Sequence, residues 1–291
     1  MIGGARPRRS ALYMPANNAR AVEKARSLPC DVVILDLEDA VLPDAKPAAR
    51  EAAAAAISAG GFGSREVIVR INALETPWGR DDLATIGPVC ADGILVPKIA
   101  SSPDVAACDH ALADAPERTR LWLMIETGAA ILAIGEIAAM TASTRLAGLV
   151  LGLNDLAKEM GARQTPDRAP FWAAMSLTLL AARANGLVVL DGVQNDIDDL
   201  AALEAVCRQG ADFGFDGKSV IHPSHLAICN RAFTPAPDEV AWSRAVIAAF
   251  DEPANAGRGA LRVDGRLAEL LHRDQARRLV AIVEAIEAGE I

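Results

Sequence analysis

The chain has 291 residues, 52% of them hydrophobic, and a net charge of −9. That apolar fraction supports a large core and excludes bulk disorder. The acidic balance, with no basic cluster beyond Arg8-Arg9 and nearby Arg6, excludes nucleic acid as the main partner.

Short apolar runs alternate with Ala-rich helical runs along the chain. Predicted strands are "ALYM" (11–14), "VVILDL" (32–37), "VIVRI" (67–71), "GILVP" (93–97), "LWLMI" (121–125), "LAGLVLG" (146–152), "GLVVLD" (186–191) and "DFGFDG" (212–217). Helical segments such as "EAAAAAISAG", "SPDVAACDHALADA", "ILAIGEIAAMTAS" and "APFWAAMSLTLLAARA" lie between them. In "DDLAALEAVCRQGA", Asp198-Asp199 marks a helix start and Gly210 its close. The strands are continuous apolar runs, as in a parallel sheet covered on both faces. Eight βα units predict an α/β fold, a closed (β/α)8 TIM barrel, and a barrel of this kind reaches such a length as one unit. An open doubly wound sheet is the competitor, but no Gly-x-Gly-x-x-Gly follows the first strand. After residue 230 the strand pattern stops. Residues 238–250 and 266–288 read as helices, so a barrel over 1–230 is expected to carry a C-terminal helical extension over 231–291.

The five cysteines, at 30, 90, 108, 207 and 229, form no Cys-x-x-Cys pair. Their scatter fits a reducing cytoplasm. The opening "MIGGARPRRS" has no apolar signal core, and the most apolar stretch is broken by Arg183, Asn185 and Gly186. Neither a secretory signal nor a membrane span is expected.

Barrel enzymes draw their active sites from the C-terminal ends of the strands. Arg70, Lys98, Glu126 and Asp155 fall there, spaced by 28, 28 and 29 residues. Each interval is about one βα unit, so the four line one rim. Asp36, Glu38 and Asp39 leave strand two onto the same rim. Arg70 lies within an apolar run and needs an anionic partner, structural or substrate. Carboxylates from adjacent strands beside an arginine suit Mg2+, which takes one or two protein carboxylates and completes its octahedron with water and substrate. The structural alternative is a pair of salt bridges, Glu126 with Arg70 or Lys98. Lys98 as a Schiff-base lysine, "HPSH" as a zinc site and Ser219 as a hydrolase nucleophile are each less supported by their context.

The segments "RSALYMPANNARAVEKA", "DVVILDLEDAVLPDAKPAAR", "VIVRIN", "LVPKI", "IET", "GLVLGLNDLA" and "GKSVIHPSH" resemble the HpcH/HpaI aldolase and citrate lyase beta-subunit superfamily, in its CitE-like branch. The resemblance runs in order over residues 8–230. It implies a cytoplasmic TIM-barrel enzyme, usually a homotrimer. The implied enzyme is a Mg2+-dependent carbon–carbon lyase of the oxo-acid type. It would cleave a 3-hydroxyacyl-CoA thioester such as malyl-CoA or citramalyl-CoA to an acyl-CoA and an α-keto acid. Glu126 and Asp155 would be the metal ligands, and Arg70 would bind the substrate carbonyl or carboxylate. Glu38 and Asp39 would hold metal-bound water. Tyr13, Arg20, Lys24, Ile221 and His222 match substrate and CoA contacts.

One departure stands out. Lyases of the malyl-CoA type carry "GxMID" in the C-terminal extension, whose Asp reaches a neighbouring subunit's active site as acid or base. Here the matching position in "VDGRLAELLHRDQARRL" is Glu269, with Asp264 a weaker stand-in. The alternatives are a citryl-CoA or citryl-carrier lyase, a metal aldolase acting on free hydroxy-keto acids, and a CoA- or metal-binding barrel without catalysis.

Overall fold

The computed structural model describes residues 6–289. The first five residues of "MIGGARPRRS" lie outside them. The chain divides into two compact units, one spanning Arg8–Phe233 and the other comprising residues 6–7 and 234–289.

In the first unit, eight parallel strands close into a barrel in chain order. They are β1 (Ser10–Pro15), β2 (Val32–Asp36), β3 (Glu66–Arg70), β4 (Gly93–Val96), β5 (Arg120–Ile125), β6 (Leu146–Leu151), β7 (Val188–Asp191) and β8 (Gly217–Val220). The surrounding helices are α1 (Ala19–Ala25), α2 (Lys46–Ala59), α3 (Gly79–Ile86), α4 (Ser102–Ala111), α5 (Gly128–Leu132), α6 (Ile134–Ala139), α7 (Leu153–Met160), α8 (Trp172–Ala184), α9 (Leu200–Phe213) and α10 (Leu226–Ala232). This is the (β/α)8 architecture expected from the alternating runs.

Strand periodicity explains the core. Successive side chains point to opposite faces. Ala11, Val32, Ile34, Ile68, Leu95, Trp122, Met124, Val150 and Leu190 fill the barrel interior. Residues one step away, such as Val33, Leu35, Val67, Val69, Leu121 and Leu123, pack in the outer layer. Trp122 is the largest interior side chain. A Cβ at Gly93 or Gly148 would stand 2.8 or 2.3 Å from its ring, so both positions must be glycine. The same alternation that sends Val32 and Ile34 inward carries Asp36 to the barrel mouth. Ile68 likewise precedes Arg70, and Met124 precedes Glu126.

Strand eight differs from expectation. Residues 212–216 are not strand: α9 continues past Gly210 to Phe213 and is stopped by Gly214 in the left-handed region (φ 100°). The strand starts instead at Gly217, where a Cβ would lie 1.9 Å from the Arg8 carbonyl oxygen. A close backbone approach, not apolarity, sets that boundary.

In the second unit, α11 (Pro237–Asp251) and α12 (Leu270–Ala288) pack with a two-stranded sheet of β9 (Ala260–Val263) and β10 (Arg266–Glu269). The hairpin corrects the reading of 266–288 as one helix. Its turn is Asp264-Gly265, with φ of 48° and 81°. Both central residues take positive φ, which is why Asp-Gly favours tight hairpins. Val246, Leu261, Val263, Ala268 and Ala276 form this unit's own small core. Among the described residues no helix is long and apolar enough to cross a membrane.

Candidate active site

A cavity of about 340 Å3 opens at the C-terminal end of the barrel, lined by Tyr13, Asp36, Asp39, Arg70, Met124, Glu126, Asp155, Asn195, Ser219 and Ile221, among others. The strands deliver its charged groups side by side. Asp36 and Arg70 are register partners across β2 and β3. Arg70 donates from Nε to Asp36 Oδ1 at 2.7 Å and from Nη2 to Oδ2 at 2.6 Å. This fork fixes the plane of the guanidinium. Its remaining edge faces Asp39 Oδ2 at 3.2 Å and Glu38 Oε2 at 2.8 Å. The guanidinium lies over the Tyr13 ring, 4.8 Å from its centroid. Burial would lower the Arg70 pKa, but the Asp36 hydrogen bonds outweigh it and raise it well above the ordinary value.

Glu38 Oε2 sits close to Arg70 yet off the hydrogen-bonding direction, so this buried oxygen has no hydrogen-bond partner. Burial pushes the Glu38 carboxyl up to about 8, against the pull of Arg70. The Tyr13 hydroxyl is also buried without a partner. Burial raises its pKa far above the ordinary value.

Lys98 follows β4 in a left-handed conformation, φ 60°. Its backbone N–H donates to Glu126 Oε1 at 2.8 Å. Its ammonium turns across the rim to lie 3.3 Å from Glu126 Oε1 and 2.8 Å from Asp155 Oδ2. Burial raises the Glu126 pKa, with Lys98 opposing. For Asp155, burial also acts upward, but the Lys98 hydrogen bond prevails and holds the carboxyl below its ordinary value. Thus the salt-bridge alternative, Lys98 with Glu126, is present.

These residues also fit a divalent ion. Glu126 and Asp155, from neighbouring staves, converge on one cation, and the lysine ammonium stands where that charge is demanded. Among the described residues no group of three or more His, Cys, Asp and Glu is placed to hold a metal alone. Two carboxylates suffice for Mg2+ when water and substrate supply the other oxygens. Asp36, Glu38 and Asp39 crowd around Arg70, and Glu126 and Asp155 around Lys98.

Gly152 makes the arrangement sterically feasible. A Cβ there would sit 2.5 Å from Glu126 Cβ and 2.7 Å from its Oε2. The glycine that follows β6 therefore leaves room for the carboxylate delivered by β5.

The rim rests on buried polar scaffolding that the sequence hid. Lys46 Nζ donates to the Leu37 and Glu38 carbonyls, each at 2.9 Å, and to Asn72 Oδ1 at 2.6 Å. Arg50 Nε donates to Asp82 Oδ1 at 2.8 Å, and Asp82 Oδ2 accepts from the Asn72 backbone at 2.9 Å. Burial lowers the Lys46 pKa. The "K…AR" spacing after "DLEDAV" was the available signal; its function is to pin the loop that carries Glu38 and Asp39.

The other predicted residues are dispersed. Ile221 lines the cavity and is 38% exposed. His222 is exposed, its Nδ1 2.7 Å from Ser224 Oγ. Arg20 and Lys24 lie on α1 beside a shallow surface groove. Glu269 ends β10 in the second unit, exposed, with its N–H donating to His272 Nδ1 at 2.9 Å.

The model of the HpcH/HpaI aldolase/citrate lyase family matches residues 9–223. A (3S)-malyl-CoA thioesterase of Cereibacter sphaeroides is 46% identical, with 99% of each chain covered. An L-malyl-CoA/beta-methylmalyl-CoA lyase of the same species is 35% identical, covering 98% of this chain and 97% of its own. The CitE protein of Mycobacterium tuberculosis, solved with magnesium, acetoacetate and coenzyme A, is 30% identical, with a TM-score of 0.76 over 96% of this chain and 98% of its own. With that match over most of its length, and with the barrel and rim described above, the chain belongs to the HpcH/HpaI aldolase/citrate lyase family.

Proposed function

We propose that the chain hydrolyses a malyl-type 3-hydroxyacyl-CoA thioester with Mg2+ as cofactor, releasing the free hydroxy acid and coenzyme A. The observation that carries this reading is the 46% identity to a (3S)-malyl-CoA thioesterase across 99% of both chains. The likeness to the lyase is weaker, at 35%.

In this reading Glu126 and Asp155 would hold the metal, which would supply Lewis-acid charge to substrate oxygens. Arg70, kept planar by Asp36, binds the substrate carbonyl or carboxylate. Its fixed N–H edge favours negative charge as it develops on oxygen. Asp39 and Glu38 orient water at the rim. Tyr13 and Ile221 bound the acyl end of the cavity, and Arg20, Lys24 and His222 contact the CoA moiety. Glu269, as the counterpart of the aspartate that the resemblance places in a neighbouring subunit's site, takes the proton that the attacking water must lose in a second copy. In the balanced reaction, water adds to the thioester carbonyl, the C–S bond breaks, and CoA leaves as its thiol.

A second reading, the retro-Claisen lyase, is favoured by the same rim. The metal site and Arg70 would equally stabilise a departing α-keto acid. Incubating the purified chain with (3S)-malyl-CoA and Mg2+ separates the two. Hydrolysis yields free thiol and malate in equal amounts. Glyoxylate and acetyl-CoA without free thiol would replace this reading with the lyase.

A further inference from the structure

We propose that Lys98 is an internal counter-cation that closes the Glu126–Asp155 site and must be expelled before a divalent ion enters. The inference rests on the reading of those two acids as metal ligands.

Three staves meet at this point. β4 delivers Lys98, β5 delivers Glu126, and α7 follows β6 with Asp155 in its first turn. The ammonium touches both acids, at 3.3 and 2.8 Å. A magnesium ion needs carboxylate oxygens at about 2.0–2.1 Å in octahedral order. It cannot share the two acids with an ammonium already between them, because two like charges at such range repel strongly.

The backbone is built for the exchange. Lys98 holds a positive φ of 60° that non-glycine residues seldom adopt. Its own N–H anchors Glu126 Oε1 at 2.8 Å. The carboxylate therefore stays fixed by the main chain when the side chain leaves. The Lys98 side chain is 38% exposed, whereas Glu126 is buried at 1%. The moving partner is the solvent-facing one, and a flexible four-carbon stem lets it swing out.

This arrangement solves a physical problem of the unloaded site. Two carboxylates of adjacent staves would repel each other in a partly dry pocket. The lysine, in contact with both, neutralises them until the metal arrives.

The test is calorimetric titration of Mg2+ into the full chain without substrate. Wild type is compared with Lys98→Met, which is neutral and of similar length, and with Lys98→Arg, which keeps the charge. The expected result is Mg2+ binding at least tenfold tighter in Lys98→Met. Lys98→Arg should bind no tighter than wild type. In thermal melts Lys98→Met should melt lower than wild type without metal and gain more from added Mg2+. Equal or weaker Mg2+ binding by Lys98→Met overturns the proposal. So does tighter binding by Lys98→Arg, which also serves if the methionine variant does not fold. Glu126→Gln is the control. If wild type and Lys98→Met bind Mg2+ equally and Glu126→Gln does not, the counter-cation fails but the metal site stands. If none of them binds Mg2+, both readings fail.

Discussion

Asp36 and Arg70 face each other across β2 and β3 and join through two hydrogen bonds of 2.7 and 2.6 Å. The pair is buried, and the carboxylate accepts along both oxygens. Asp36 is therefore the residue that aims the guanidinium. Asp36→Asn keeps the shape but replaces one acceptor with a donor and removes the charge. The expected outcome is a kcat lower by roughly 100-fold, the scale of a small misplacement at a reacting group. Arg70→Lys should cost on the order of 100- to 1,000-fold, because a point charge cannot reproduce a fixed fork. Steady-state kinetics check both; wild-type kcat in either variant would remove Arg70 from the chemistry.

Glu126→Gln and Asp155→Asn each delete one oxygen charge from the assigned metal pair. Activity should lose its Mg2+ dependence and fall to background in both, with far-ultraviolet circular dichroism unchanged. Chelation of wild-type enzyme should abolish activity, and added Mg2+ should restore it. Full activity in either variant, or indifference to chelator, would end the metal assignment.

Gly152 tests the steric side of the same site. Its added methyl in Gly152→Ala would meet Glu126 at 2.5–2.7 Å, well inside contact distance. The carboxylate must shift, so Mg2+ affinity should drop at least tenfold. Overpacking of this kind costs about 1–3 kcal/mol. A denaturant melt beside the metal titration checks both effects. An unchanged Mg2+ affinity would mean that Glu126 has another way to reach the ion.

Much of the barrel was legible because its strands are apolar on both faces and its helices Ala-rich. The rim was legible for a related reason: Arg70 and Glu126 interrupt or follow runs that otherwise never leave the core. What stayed hidden depends on contacts between distant residues. Nothing local says that Asp36 holds Arg70 or that Lys46 pins the loop after β2. The β9–β10 hairpin was missed despite its Asp-Gly turn, since "RLAE" has neither strong alternation nor β-branched residues. Strand eight was misplaced because "GKSV" is polar. Lys218 is buried there against Asp191 Oδ2 at 3.0 Å, and Ser219 Oγ donates to the Asp191 carbonyl at 2.9 Å.

Glu269 carries the proposed proton transfer and offers a clean substitution. Its side chain is exposed, and the start of α12 is held by the Glu269 N–H donating to His272 Nδ1 at 2.9 Å. Glu269→Gln leaves that backbone bond intact. The melting temperature should stay within error of wild type. The kcat should fall on the order of 100-fold or more, the usual contribution of a positioned acid or base, with KM little changed. An unaltered kcat would reduce Glu269 to a helix-start residue.

Glu38 makes folding stability depend on pH in a direction opposite to that of an ordinary salt-bridged carboxylate. Burial lifts its pKa from 4.5 to about 8. Between those values the folded chain keeps a proton that the unfolded chain has released. Stability therefore falls as pH rises through this window. The contribution is complete below 4.5 and gone above about 8. Its limiting slope is about 1.4 kcal/mol per pH unit for one proton. Glu126, also raised by burial, adds in the same sense. Glu38→Gln cannot release a proton, so it should flatten the decline. Urea melts of metal-free protein at about pH 5 and about pH 8 measure the difference. Parallel slopes for wild type and Glu38→Gln would show that Glu38 is ionised in the folded chain, with Arg70 prevailing over burial.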